Sequence, residues 1–246
     1  MSDVTLAPIL PVDADGEVVH PGDFVAQYAW CLDRADELLG EHGLSLDHAV
    51  TTYDFSTPAT REVYRRTHRE RKERLGGAGV FPGAGGILLD DVSQGAGHPG
   101  ALVRLEVTAS PEPLVGVNPG WARYDTLTYY PGVLAGRTLY MSGFAALDME
   151  TQLALHEGDL GAQTEATYAA ILEVLAEAGA GPEHITRMTW YVTDKREYVA
   201  SYRALGAAYR EVIGRHFPAM TAVQVTALIE DRAKVEIEAT AMVPDA

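Results

Sequence analysis

The stretch Asp159-Leu160-Gly161-Ala162-Gln163 opens an amphipathic run that ends at Gly179, and Asp23-Phe24-Val25-Ala26-Gln27 opens another that ends at Gly43. Four markers recur 136 residues apart and in the same order: Asp23 and Asp159, Gln27 and Gln163, Gly43 and Gly179, Phe81-Pro82 and Phe217-Pro218. Each Phe-Pro pair is followed by an alternating strand pattern, Val103-Arg104-Leu105-Glu106-Val107-Thr108-Ala109 in one case and Val235-Glu236-Ile237-Glu238-Ala239-Thr240-Ala241 in the other. The chain therefore reads as one fold written twice.

Its 246 residues leave room for two domains, and 47% hydrophobic content suffices for two cores. The expected division is 1–110, a linker at 111–125 marked by three prolines, and 126–246. No run of 18 apolar residues predicts a membrane span. The opening Met1-Ser2-Asp3-Val4-Thr5 lacks the basic start of a signal peptide. The single cysteine, Cys31, falls in a helical pattern and reads as a small apolar residue, so a cytoplasmic protein is expected. A net charge of −16 opposes binding to phosphate backbones. The basic run Arg61 to Arg74 is interleaved with Glu62, Glu70 and Glu73, which suits a solvated helix face.

Apolar periodicity predicts helices over 23–41, 59–75, 159–178 and 196–213. Strands are expected over 50–55, 85–92, 101–110, 126–130, 133–142, 185–192, 221–228 and 234–242, with an Asp-Gly hairpin turn at 13–16. The order β-β-α-β-α-β-β in the second half implies a mixed sheet with helices on one face. The first half has no obvious partner for the strand at 126–130, so its start is shortened or rebuilt.

The second half resembles the Rid (YjgF) family. The resemblance rests on Leu139-Tyr140-Met141-Ser142-Gly143, Gly158 to Thr164, Leu175-Ala176-Glu177-Ala178-Gly179, Thr189-Trp190-Tyr191-Val192-Thr193-Asp194, Phe217-Pro218-Ala219 and Val235 to Ala239. The first half is similar only in outline. The resemblance implies an α+β fold of two tandem chorismate-mutase-like domains, each a mixed sheet with two helices packed on one face. It also implies a homotrimer with ligand clefts between neighbouring modules, no cofactor and no metal, and hydrolysis of enamines or imines to carbonyl compounds. In the family an arginine after Phe-Pro-Ala grips the substrate carboxylate. A last-strand glutamate, a first-strand tyrosine and backbone near a Ser-Gly turn complete that site.

By this resemblance Glu236 and Tyr129 are the candidate catalytic residues, although Glu236 could equally be a solvent-facing strand residue. Ser142, Gly143 and Phe144 match the turn that approaches the ligand. The arginine is absent: Met220 and Thr221 follow Phe217-Pro218-Ala219, and Ala84 follows Phe81-Pro82-Gly83. In the first copy Arg104 stands where Glu236 stands in the second. Arg203 or Arg65 could bind a carboxylate instead, or could be surface residues. No histidine pair has metal-ligand spacing. Gly83-Ala84-Gly85-Gly86 could cradle an anion but lacks the Lys-Ser/Thr of a phosphate loop. Trp121, with Tyr124, is a candidate to dock between the halves. Three functions follow: a divergent cofactor-independent enzyme acting on a small carbonyl, enamine or imine; a non-catalytic binder or scaffold; or a chorismatase-like hydrolase. Nucleic acid and membrane are not expected as partners.

Overall fold

A computed structural model describes residues 2–245. Its elements in chain order are β1 (Val4–Thr5), α1 (Phe24–Gly40), β2 (Ala49–Ser56), α2 (Thr67–Arg74), β3 (Gly83–Leu88), β4 (Val103–Ala109), β5 (Leu114–Val117), β6 (Gly132–Ala135), β7 (Thr138–Met141), β8 (Phe144–Ala145), α3 (Leu160–Glu177), β9 (Ile185–Val192), α4 (Lys195–Ala200), α5 (Tyr202–Val212), β10 (Ala219–Gln224), β11 (Ala227–Leu228) and β12 (Val235–Met242). They form a five-stranded sheet, β1-β4-β2-β3-β11, and a seven-stranded sheet, β10-β9-β12-β7-β6-β5, with β8 beside β12. Each sheet mixes parallel and antiparallel pairs. One core packs α1 on β4, and the other packs α3 and α5 on β9 and β12.

The repeat extends to individual hydrogen bonds. Asp23 and Asp159 cap their helices by accepting from Ala26 N and Ala162 N, each at 3.0 Å. Gln27 and Gln163 are fully buried, and each ties its helix to the start of the last strand. Leu102 N donates to Gln27 Oε1 and Lys234 N to Gln163 Oε1, both at 2.7 Å. His48 and His184 accept through Nδ1 from Ser45 N and Gly181 N, a structural role in both copies. The parallel pairs share one register, with Thr51 opposite Gly83 and Arg187 opposite Ala219. Arg104 lies opposite Phe55, and Glu236 lies opposite Tyr191.

Several expected elements are cut differently. The segment 126–130 is not a strand. A 3-10 turn occupies Ala122–Thr126, and the next backbone groups bond outside any ladder. Arg71 Nη2 donates to Thr128 O at 3.0 Å, Tyr130 N donates to Pro82 O at 3.3 Å, and Pro131 has no N–H to give. The strand expected at 133–142 is a hairpin, β6 and β7, reversed at Gly136, where φ is 57°. The helix expected at 59–75 is two 3-10 turns followed by the short α2. The helix at 196–213 breaks at Ser201, whose N–H is shared between Glu197 O and Tyr198 O.

The strand expected at 221–228 divides between the two sheets: β10 extends the second and β11 pairs with β3 in the first. The proline-rich stretch read as linker supplies β5, which pairs with β6. At the start of the chain, β1 is the edge strand against β4 and no counterpart of β6 precedes it among the described residues. The Asp-Gly turn is present: Asp13 N donates to Glu17 O, and Gly16 has a φ of 87°.

Candidate functional site in the cleft between the halves

The halves meet along β3 and β7. Ala84 N donates to Ser142 Oγ at 2.9 Å, Gly143 N donates to Ala84 O at 3.0 Å, and Tyr53 OH donates to Met141 O at 2.7 Å. Thr226 N donates to Leu88 O at 3.0 Å, and Arg61 Nη2 donates to Leu228 O at 3.0 Å. Above this seam lies a cavity of about 630 Å³ lined by both halves, with Glu236, Tyr129, Gly143 and Phe144 from one and Tyr64, Arg71 and Gly85 from the other.

Glu236 is the chemically distinctive group in it. Alternation along β12 sends Val235 and Ile237 into the helix-covered core and Glu236 to the opposite face, against the first half. The residue is 7% exposed, and its carboxyl has no hydrogen-bond donor among the described residues. Burial, reinforced by the charges of Glu238 and Asp54, pushes its pKa up to about 8. At neutral pH this carboxyl is largely protonated. Two glycines leave room for it: a Cβ on Gly143 would collide with Glu236 Oε1, and one on Gly85 would stand 3.1 Å from it.

Aromatic rings line one side. Trp121 packs on Phe144 with ring centres 6.0 Å apart, Tyr124 on Trp121 at 5.7 Å, and Tyr129 on Tyr124 at 5.4 Å. Trp121 docks on the second half, donating Nε1 to Glu173 at 3.0 Å, while Tyr124 and Tyr129 reach the cavity. Burial raises the pKa of both tyrosines, so both are neutral phenols. Arg71 holds this wall from α2. Its guanidinium donates to Thr128 Oγ1, to Thr128 O, to Tyr28 OH and to Thr52 Oγ1 at 2.8–3.3 Å. Next to it Asp54 accepts from Tyr64 OH at 2.9 Å, and burial pushes the Asp54 carboxyl up to about 7 despite Arg71.

Of the residues expected at the ligand, Glu236, Tyr129, Gly143 and Phe144 line the cavity, and so does Arg65. Ser142 does not. It is fully buried in the seam, where its Oγ donates to Tyr130 O at 2.6 Å and accepts from Ala84 N. Met220 and Thr221 sit on β10, exposed at the far edge of the second sheet. Arg203 is exposed on α5 and lies outside the cavity. Ala84 and Gly85, the counterparts of Met220 and Thr221 in the repeat, line this cavity instead. Arg71 and Arg123 also line the cavity, and neither stands out in the sequence. Arg71 lay in a helix read as a solvated charged face and Arg123 in a stretch read as linker. Only Arg71's position in the repeat, on the helix facing Tyr28, could have hinted at burial.

The family described as endoribonuclease L-PSP matches residues 123–243, the half that carries Glu236. Protein DfrA of Myxococcus xanthus is 36% identical over 112 residues, covering 44% of this chain and 78% of that protein. The RutC family protein UK114 of Drosophila melanogaster is 32% identical over 114 residues, covering 46% and 78%. A solved member of the YjgF/YER057c/UK114 family from Mycobacterium tuberculosis is 28% identical, covers 53% of this chain and 99% of its own, and superposes with a TM-score of 0.43. Through its second half, the chain belongs to the endoribonuclease L-PSP family, also known as the Rid (YjgF/UK114) family.

Proposed function

We propose that the chain is a divergent, cofactor-independent enzyme of this family, acting on a small carbonyl, enamine or imine compound in the cleft between its halves. Family members are imine or enamine deaminases or small-molecule binders. The observation that carries the enzymatic reading is the Glu236 carboxyl, buried, unbonded and raised to about 8 at the wall of a cavity. Its proton goes to the imine nitrogen, or to the enamine carbon. Water then adds to the iminium carbon, and the resulting carboxylate takes up the proton that water gives up. Collapse of the carbinolamine releases ammonia and leaves the carbonyl compound. Tyr129, a neutral phenol, orients the substrate or the water by hydrogen bonding.

The test uses imines made in situ by a flavin oxidase from amino acids and from benzylamine. The protein is expected to accelerate ammonia release over buffer, and Glu236→Gln is expected to lose that acceleration. Equal rates for the two proteins would remove Glu236 from the mechanism. A second reading, a non-catalytic binder, is favoured by Met220 and Ala84 standing where the arginine is expected. It predicts a ligand that raises the melting temperature with no turnover. RNA cleavage fits poorly with a charge of −16.

We also propose a homotrimer in the cytoplasm. β10 has all six residues exposed, whereas its counterpart β3 is largely buried against the second half. A buried free thiol at Cys31 suits a reducing compartment.

A further inference from the structure

The first half brings an acid of its own to the cleft. Asp54 lies on β2 opposite Gly86 of β3, where the repeat sets Trp190 opposite Ala222 in the second half. Trp190 is a core residue, packed on Tyr168 with ring centres 5.8 Å apart. Asp54 is buried as deeply, at 1% exposure, yet only one of its oxygens is bonded. Its Oδ1 accepts from Tyr64 OH at 2.9 Å, and its Oδ2 has no partner among the described residues. A half-bonded carboxyl at a core position costs stability, and such groups gather where chemistry is done.

Tyr64 connects that acid to the cavity. Its ring stacks on Phe24 with centres 6.2 Å apart, and the residue lines the cavity wall. Its hydroxyl hydrogen goes to Asp54, so the hydroxyl oxygen keeps lone pairs with which to accept. Two consecutive glycines of β3 make room: a Cβ on Gly86 would collide with Tyr64 OH, and one on Gly85 would stand 3.1 Å from Glu236 Oε1. The Tyr64 and Glu236 oxygens therefore lie no more than about 12 Å apart, a gap that a small substrate and a water span.

We infer that Tyr64 is a second catalytic residue of the cleft and Asp54 its positioning partner: as the carbinolamine collapses, Tyr64 takes its hydroxyl proton and passes the phenol proton to the Asp54 carboxylate. Glu236, reprotonated when water added, gives its proton to the amine nitrogen. The C–N bond breaks with its electron pair leaving on ammonia, and the electron pair left on oxygen closes the C=O bond. Asp54 ends protonated and Glu236 ionised, and one proton passed back through water in the cleft resets both. Burial raises the Asp54 carboxyl to about 7 against the lowering effect of Arg71, Tyr64 and Tyr28, and Asp54 and Glu236 feel each other's charge. Enough Asp54 carboxylate is therefore present near neutral pH to accept a proton. The inference rests on the reading of Glu236 given above.

The test is ammonia release from oxidase-generated imines, followed from roughly pH 5 to 9 with oxidase in excess, for the parent chain, Tyr64→Phe, Asp54→Asn and Glu236→Gln. Imine hydrolysis is reversible until ammonia leaves, so kcat/KM reports both acids. The parent profile is expected to be a bell, rising through about pH 7 as Asp54 ionises and falling through about pH 8 as Glu236 loses its proton. Tyr64→Phe should lower kcat about 10²-fold with KM little changed. Asp54→Asn keeps an oxygen for Tyr64 OH; it should lower kcat about tenfold and abolish the rising limb while the falling limb stays. A purely structural role for Asp54 would scale the profile without changing its shape. A rising limb that survives in Asp54→Asn overturns the proposal, as does a Tyr64→Phe chain with more than about half the parent kcat. Rates are read where melts show each variant folded, and Tyr64→Phe decides alone if Asp54→Asn does not fold. If Glu236→Gln is inactive while Tyr64→Phe works normally, this inference falls and the Glu236 reading stands. If Tyr64→Phe loses turnover and Glu236→Gln does not, the Glu236 reading fails and Tyr64 stands as the acid–base group. A parent chain that turns over no imine removes both.

Discussion

Glu236 and its counterpart Arg104 show how one substitution separates two copies of a fold. Each occupies the second position of the last strand of its half, opposite an aromatic residue of the neighbouring strand. Arg104 is neutralised, paired with Glu106 at 3.1 Å and laid over the Phe55 ring at 4.2 Å. Glu236 has no such partner, and its acidity follows from that. Its folded pKa of about 8 exceeds the unfolded value of 4.5, so the folded state holds the extra proton between those limits. The associated stability is present below pH 4.5 and is lost as the pH rises through about 8. Thermal melts of Glu236→Gln should therefore match the parent chain in acid and exceed it above pH 8, by the equivalent of a few kcal/mol. Turnover that needs the protonated acid should fall above the same pH, and Glu236→Gln should lose roughly 10²–10⁴-fold in rate. Gly143→Ala tests placement while leaving Glu236 itself in the chain. Its methyl would displace the Glu236 carboxylate, so activity should drop while the melting temperature changes little.

At the scale of elements, the cleft depends on parts with unusual composition. β3 carries three glycines in six residues, which lowers its own strand stability. In exchange, the Tyr53 and Tyr64 rings approach where a Cβ at Gly85 or Gly86 would meet them. α2 has almost no apolar face, yet it buries Arg71, whose four hydrogen bonds reach α1, β2 and the segment before β6. That segment has no strand ladder of its own, so Arg71 fixes Tyr129 across the seam. Arg71→Leu leaves Thr128 O, Thr128 Oγ1 and Thr52 Oγ1 short of a donor, and should cost about 3 kcal/mol in chemical denaturation. A positioning role adds a second effect that simple destabilisation does not: KM should rise at temperatures where the variant is fully folded.

At the scale of the molecule, the halves have separate cores but share their edges. β11 lies in the first sheet, and smaller apolar clusters around Phe55 and Val133 span the seam. Residues 1–110 expressed alone should therefore fold less stably than in the full chain, with the exposed seam seen as early amide exchange in β3. The repeat also predicts self-association. β10 is an uncovered edge strand bearing Met220 and Val223, beside Phe217 at 73% exposure, and such edges pair with other chains. Val223→Lys should reduce the assembly size measured by light scattering while leaving the melting profile of the single chain unchanged.

The duplication, the helix starts and the family were legible from sequence because they rest on local periodicity and on residues such as Asp23, Gln27 and Asp159, whose roles lie within a turn or one helix–strand contact. Glu236 and Tyr129 stood out as candidates only through the resemblance of the second half, and both line the cavity. The joining of the halves was not legible. Whether Ser142 meets a ligand or the backbone of Ala84, whether 227–228 joins the second sheet or the first, and whether Arg71 and Arg123 are solvated or held in a cleft depend on contacts between residues distant in the chain. Burial and Coulomb interactions are set by what surrounds a group in space, so the acidity of Glu236 and the cations facing the cavity appear only once the two copies are packed together.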